Sequence, residues 1–222
     1  MAQIEPSAAC QSINKCFEKW GVPERIKIDN GRPFVNAGNK DIPTLSQLWW
    51  IGLGIEVQLN AVRCPQQNGT VEGLQGICKR WSAPALHENL EQYQKRIDET
   101  LRIQAEVYRI RKKEDKTRKE LYPELWTKKR PFRADDFELS RVLEQLSDRV
   151  WKRSVYKGGK LKFWGREIYV GKKFVRYTIF ITLDPTENTW LFRTEHGHTL
   201  KTIKNEFFAE KDILIHAGIS MN

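Results

Sequence analysis

The 222-residue sequence predicts an α/β core, then a helical connector, then a small C-terminal β-barrel. Three observations predict it. Helix-period and strand-period stretches alternate over residues 7–82, an α/β grammar. Residues 86–150 are helical in pattern and dense in charge. From Trp151 onward, short runs of aromatic and β-branched residues alternate with turn signals. The expected division is core over 1–85, connector over 86–150, barrel over 151–205 and a C-terminal extension over 206–222.

Each element has its own warrant. In "SAACQSINKCFEK" (7–19), Ala9, Ile13, Cys16 and Phe17 recur at helical spacing, and Gly21 and Pro23 stop the helix. "RIKID" reads as a short strand. "TLSQLWWIGLG" reads as a second helix with Thr44 as its N-cap, ended by Gly52 and Gly54. "IEVQLN" alternates as a strand and "CPQQNG" is a loop. "TVEGLQGICKRW" returns to helix, with Val71, Leu74, Cys78 and Trp81 as its core stripe. A long helix is expected over 88–113, striped by Leu90, Tyr93, Ile97, Leu101, Ala105 and Tyr108. The charged stretch after it is broken by Pro123 and Pro131, and a short helix is expected over 137–147. In the last third, Gly158-Gly159 and "DPTEN" (184–188) mark hairpins.

Composition narrows the function. No segment approaches the run of about 18 apolar residues that a membrane span needs. "MAQIEPSAACQ" has neither a basic region nor a long apolar stretch, so no secretory signal is read and a cytoplasmic protein is expected. Cys10, Cys16, Cys64 and Cys78 have no metal-site spacing and read as reduced thiols. His196 and His198 could grip a metal from one strand face, but "RTEHGHTLK" reads as a hairpin turn. The net charge is +10, and residues 151–222 carry +6 of it. A concentrated basic surface suits a polyanion partner; it also suits plain solubility. Residues 151–176 hold nine basic side chains and one acidic, interleaved with Trp151, Tyr156, Phe163, Trp164, Tyr169 and Phe174. Lys160 and Lys162 are the candidate phosphate contacts there. The aromatics could stack on bases, although most fit a barrel core better.

Two motifs carry the chemistry. In "GVPERIKIDNGRPF" (21–34), Asp29 ends a strand and Asn30-Gly31 turns the chain away. Carboxyl ends of strands in α/β sheets face the functional crevice; a hairpin corner is the plainer explanation. In "PQQNGTVEG" (65–73), a loop opens the helix that carries Glu72. Asn68, Glu72 and Lys79 can fall on nearly one line along it, suiting a metal and a phosphate backbone. A glutamate favoured by the helix dipole is the structural alternative.

The first motif resembles the second-aspartate motif of the retroviral-integrase superfamily. "CPQQNGTVEGLQGICKRW" resembles its glutamate motif, and "WGREIYVG" resembles the small β-barrel of insertion-sequence and Mu-type transposases. The core match covers residues 7–82. The resemblance implies an RNase H-like fold and DDE chemistry, in which Mg²⁺ or Mn²⁺ ions about 4 Å apart drive in-line phosphoryl transfer on DNA. Asp29 and Glu72 would be two of three metal ligands; Asn68 and Lys79 would position DNA. Element ends and target DNA would be the partners, with a homo-oligomer on paired ends and nucleoid association when DNA is bound. Forty-two residues separate Asp29 from Glu72, more than in retroviral integrases, and "VNAGNKDIPTLSQLWW" holds the extra length.

The family's first aspartate, its first three strands and its helix-turn-helix module are not in this sequence, so the expectation is an inactive, N-terminally truncated copy. Asp41 is a remote substitute ligand. The competing readings are a non-catalytic DNA-binding remnant acting through the basic barrel, and a protein-interaction module using the long helix.

Overall fold

The computed structural model describes residues 4–36, 38–61, 69–127 and 129–220. The chain mixes helix and strand and divides into two compact units. The first unit is Met1–Leu59 with Phe132–Asn222, and the second is Asn60–Pro131.

The first unit begins with helix α1 (Pro6–Trp20), strand β1 (Arg25–Ile28), helix α2 (Leu45–Gly52) and strand β2 (Glu56–Leu59). β1 and β2 pair in parallel, with Arg25 opposite Glu56 and Ile28 opposite Leu59. The exposed Arg25–Glu56 ion pair, at 2.6 Å, spans that register. Parallel neighbours need a crossover, and α2 supplies it. α2 is apolar almost all round, so it is buried almost all round: seven of its eight residues are buried, Trp49 and Trp50 among them. The Thr44 hydroxyl caps it, accepting from the Gln47 amide at 3.3 Å and donating to the Phe34 carbonyl at 3.2 Å.

The second unit holds α3 (Gly69–Ser82), α4 (Leu90–Glu106) and the four-residue helices α5 (Arg118–Leu121) and α6 (Glu124–Thr127). The Asn89 side chain caps α4, and a Thr117–Glu120 capping box starts α5. The expected core stripe of α3 is a correction. Val71 is 56% exposed, Leu74 and Trp81 are exposed, and Cys78 is half-buried. Within its unit α3 packs along α4, and its Trp81 ring meets that of Tyr108 at 6.3 Å. α4 is also shorter than the expected 88–113, ending at Glu106.

The first unit resumes with α7 (Leu139–Ser147), which packs on α2. The Arg141 guanidinium donates to the Gly52 carbonyl at 3.1 Å. A side chain at Gly52 would collide with the Phe137 ring, so only glycine admits this approach. Six strands follow: β3 (Trp151–Ser154), β4 (Lys160–Phe163), β5 (Arg166–Tyr169), β6 (Thr178–Asp184), β7 (Thr189–Arg193) and β8 (Thr199–Lys204). Among the described residues they do not close into the expected barrel. β3, β6, β7 and β8 form an open antiparallel sheet in the order β3-β6-β7-β8, and β4 and β5 form a separate hairpin. After β5 the chain enters a 3-10 turn at Lys172–Phe174, so the ladder breaks between β5 and β6. The Gly159 carbonyl pins that turn by accepting the Val170 and Gly171 amides; at φ +78° and with the Gly171 backbone close by, Gly159 admits no side chain.

Leu161 and Phe163 of the hairpin share a core with Trp151, Ile179, Ile181, Trp190 and Phe192 of the sheet. The Phe163 and Trp190 rings meet edge to face at 5.0 Å. Helix α8 (Glu210–Ala217) closes the unit against α1 and α2. The Asn14 amide donates to the Ala217 carbonyl, and the Trp49 indole donates to the Asn14 side chain. No helix among the described residues is long and apolar enough to cross a membrane.

Candidate functional site

Asp29 follows the last residue of β1, at the carboxyl end of the parallel pair. Its carboxylate is exposed, and one oxygen accepts the Gly31 amide at 3.0 Å. This turn fixes the carboxylate at the strand end. A β-carbon at Gly31 would lie 3.2 Å from both carboxylate oxygens, so glycine leaves the group room. Phe34 packs back beneath the turn, its ring 5.7 Å from that of Trp50.

Glu72 stands in the first turn of α3, exposed, and Lys79 stands in the last turn, also exposed. The helix thus carries a carboxylate near its start and an ammonium two turns on. Asp29 belongs to the first unit, and Glu72 and Lys79 to the second. Asn68 lies outside the described residues. Among the described residues, no group of three or more His, Cys, Asp or Glu is placed to hold a metal ion.

Asp41 is committed elsewhere. Its carboxylate pairs with the Arg153 guanidinium at 2.7 Å, and its carbonyl accepts the Trp151 indole N–H. Arg149, whose pKa burial pushes down, feels the same carboxylate in the opposite sense. Asp41 is therefore an anchor for arginines beside the aromatic core.

Lys160 and Lys162 are exposed on one face of β4. Both lie against Glu167: Lys162 is directly opposite it, and Lys160 reaches it at 3.0 Å. The Tyr156 hydroxyl donates to the same carboxylate, which holds Glu167 below the usual carboxylate range and pushes Tyr156 up to about 12. Two cations thus share one acid, and the face keeps a net positive charge. Of the six interleaved aromatics, Trp151 and Phe163 are buried, Trp164 and Phe174 pack against the core, and Tyr156 and Tyr169 are exposed. His196 and His198 sit in the turn between β7 and β8, with Glu195 3.5 Å from His196.

Sequence reasoning missed one feature of the first unit. A cleft of about 1200 Å³ lies beside the segment after Asp29, lined by Arg32, Pro33, Thr44, Trp164, Phe208 and His216. The His216 ring nitrogen meets the Ser46 hydroxyl at 2.8 Å, and Ser46 also bonds the Cys10 thiol. Burial lowers the His216 pKa and raises that of Cys10 to about 11, so this thiol stays protonated and unreactive. The residues come from positions 10, 46 and 216, and no local spacing announces them.

The sequence matches no protein-family model and no curated protein.

Proposed function

We propose that the chain works on DNA within an integrase-type transposition apparatus that uses metal-dependent phosphoryl transfer. Asp29 and Glu72 are two of its carboxylate ligands in this reading. One observation carries it: Asp29 is held at the carboxyl end of a parallel β-α-β unit, where α/β sheets place their functional groups. The RNase H-like assignment rests on the same unit and on the two motifs.

The donor chemistry fits Mg²⁺ or Mn²⁺, since both ions prefer carboxylate oxygens. Asp29 offers an exposed carboxylate with one oxygen tied to Gly31, and Glu72 offers a second. Such ions would polarise the phosphate and activate the attacking oxygen. A third ligand is not supplied among the described residues, so catalysis is assigned only to an assembly that provides one. Asn68 and Lys79 position DNA along α3, and paired DNA ends bring copies of the chain together. The second reading is DNA binding without catalysis, favoured by the net positive face of Lys160 and Lys162 beside exposed Tyr169.

The test is paramagnetic line broadening by Mn²⁺ in the purified chain. Broadening is expected at the Asn30 and Gly31 amides and is lost in Asp29→Asn. The same chain, given DNA ends and Mg²⁺, is expected neither to cut nor to join them. Amides at 30 and 31 that ignore Mn²⁺ would sink the metal-site reading and leave the binding one.

A further inference from the structure

The second unit carries eight cations between Arg102 and Lys119. Five have partners. Arg102 and Lys119 both pair with Glu106, Arg109 pairs with Glu120, and Lys116 pairs with Glu114 at 2.6 Å. Arg118 donates to the Gln104 side chain and carbonyl. The remaining three are consecutive. Arg111, Lys112 and Lys113 form one 3-10 turn, all exposed, and engage no side chain among the described residues. Every glutamate of the stretch is already taken. Asp115 alone is left to offset them, so the turn keeps a surplus of two positive charges.

The backbone gathers these cations. Ile110 and Lys116 form an antiparallel bridge, the Lys113 amide donates to the Ile110 carbonyl at 2.8 Å, and the Lys116 amide donates to the Lys113 carbonyl at 3.0 Å. Glu114 and Asp115 sit at φ 55° and 54°, a left-handed pair without glycine. Such residues are strained, and strain persists where the surroundings impose it. Tyr108 stands at the side of the turn, 47% exposed, with the Arg118 guanidinium 5.8 Å over its ring. A shallow cleft lined by Val107, Tyr108, Arg111 and Lys112 runs past it.

We propose that the Arg111–Lys113 turn is a sequence-independent contact for the phosphodiester backbone of nucleic acid. Three adjacent cations with only Asp115 to offset them repel one another until an anion joins them. A polymer with regularly spaced phosphates satisfies all three and releases its own counterions on binding. The exposed Tyr108 ring offers a neighbouring base a surface to stack on. A turn of this size presents no broad apolar face to insert among acyl chains, so nucleic acid fits it better than an anionic bilayer does. The inference is independent of the metal site: it needs neither Asp29 nor Glu72.

The experiment uses the full chain and a fluorescent duplex of random sequence, with binding read by anisotropy from 50 to 200 mM KCl. The variant Arg111→Ala, Lys112→Ala, Lys113→Ala is expected to bind about tenfold more weakly or worse at the low-salt end. Its slope of log affinity against log salt becomes shallower by roughly two to three, since each neutralised phosphate contributes about 0.9. Circular dichroism checks that it is folded, and Lys112→Glu alone carries the test if the triple variant is not. Lys116→Ala, in the same turn but neutralised by Glu114, is expected to stay within about twofold of the parent, since surface ion pairs leave little free charge. Unchanged affinity and slope in the folded variant would overturn the proposal. So would an equal loss in Lys116→Ala, which would reduce the effect to net charge. Loss of binding to phosphatidylserine vesicles with duplex binding intact would overturn it in favour of a membrane surface.

Discussion

The two units are built on opposite principles. The first buries whole aromatic rings: Trp49, Trp50, Trp190, Phe163 and Phe192 are fully enclosed. The second, between Asn60 and Pro131, encloses no hydrophobic side chain among the described residues. What it buries is polar: Asn60, Ser82, Thr100, Gln104 and Thr117. Several of its large apolar groups face outward, with Leu90 84% exposed and Leu86 80% exposed, and others, Ile97, Leu101 and Ile103 among them, are half-buried. Apolar burial contributes about 25 cal/mol per Å², so the first unit, which holds every fully buried hydrophobic side chain among the described residues, carries most of the hydrophobic stabilisation. Caps, ion pairs and side-chain bonds hold the second, and each is worth about 1 kcal/mol or less. The lesson is that amphipathic spacing is a property of a helix alone, whereas a core is a property of what covers it.

The largest expected effect follows from that contrast. Trp190→Ala removes a ring that touches those of Trp151, Phe163, Trp164 and Phe207. It should cost about 3–5 kcal/mol. Leu101→Ala removes a half-buried side chain of α4 and should cost about 1 kcal/mol or less, since little cavity is left. Urea unfolding followed by far-ultraviolet circular dichroism reads both. Equal costs would mean that the second unit has a core after all.

Acid should separate the units next. Burial lowers the His216 pKa from its ordinary 6.5, so the folded first unit resists a proton that the unfolded chain accepts. Its contribution is full above about pH 6.5 and is lost as pH falls through the lowered folded value. In the second unit, Glu106 is held below its ordinary 4.5 by the Lys119 hydrogen bond and charge, and Glu120 by the Thr117 amide and hydroxyl. Those contributions are present above about 4.5 and fade only below it. Acidification from pH 7 should therefore weaken the first unit before it touches these carboxylates. His216→Gln should flatten the first unit's stability between pH 5 and 7; a profile unchanged by that substitution would refute the assignment.

How much of this was legible in sequence differs between elements for a physical reason. α1, α2 and β2 were legible because their signals are local: Thr44 before an apolar run, glycine after it, alternation in "EVQL". The Asp29 turn was legible for the same reason, since Asn30-Gly31 dictates it within three residues. Barrel closure was not, because pairing partners are chosen across distance, and Lys172–Phe174 diverts the chain where a strand was expected to continue. The exposure of Val71 and Leu74 was not legible either: their spacing is identical whether or not another layer covers them. Nor could spacing show that Glu167 would attend to both Lys160 and Lys162, or that Asp41 would be drawn to Arg153.

The smallest effect sharpens the comparison most. Thr44 and Thr117 both cap helices, and replacing either by alanine should cost about 1 kcal/mol. The energies are alike, but their reach should not be. Thr44 starts a buried helix that joins α1, α7 and α8, so Thr44→Ala should lower the stability of the whole first unit. Thr117 starts a four-residue helix in a unit without an apolar core, so Thr117→Ala should open only its surroundings. Amide hydrogen exchange distinguishes the two outcomes. In Thr117→Ala, protection at residues 120–122 should fall about fivefold, the factor that 1 kcal/mol represents, while the amides of β6 keep theirs. Faster exchange in β6 would show that the units open together, and that the polar second unit shares the stability of the first.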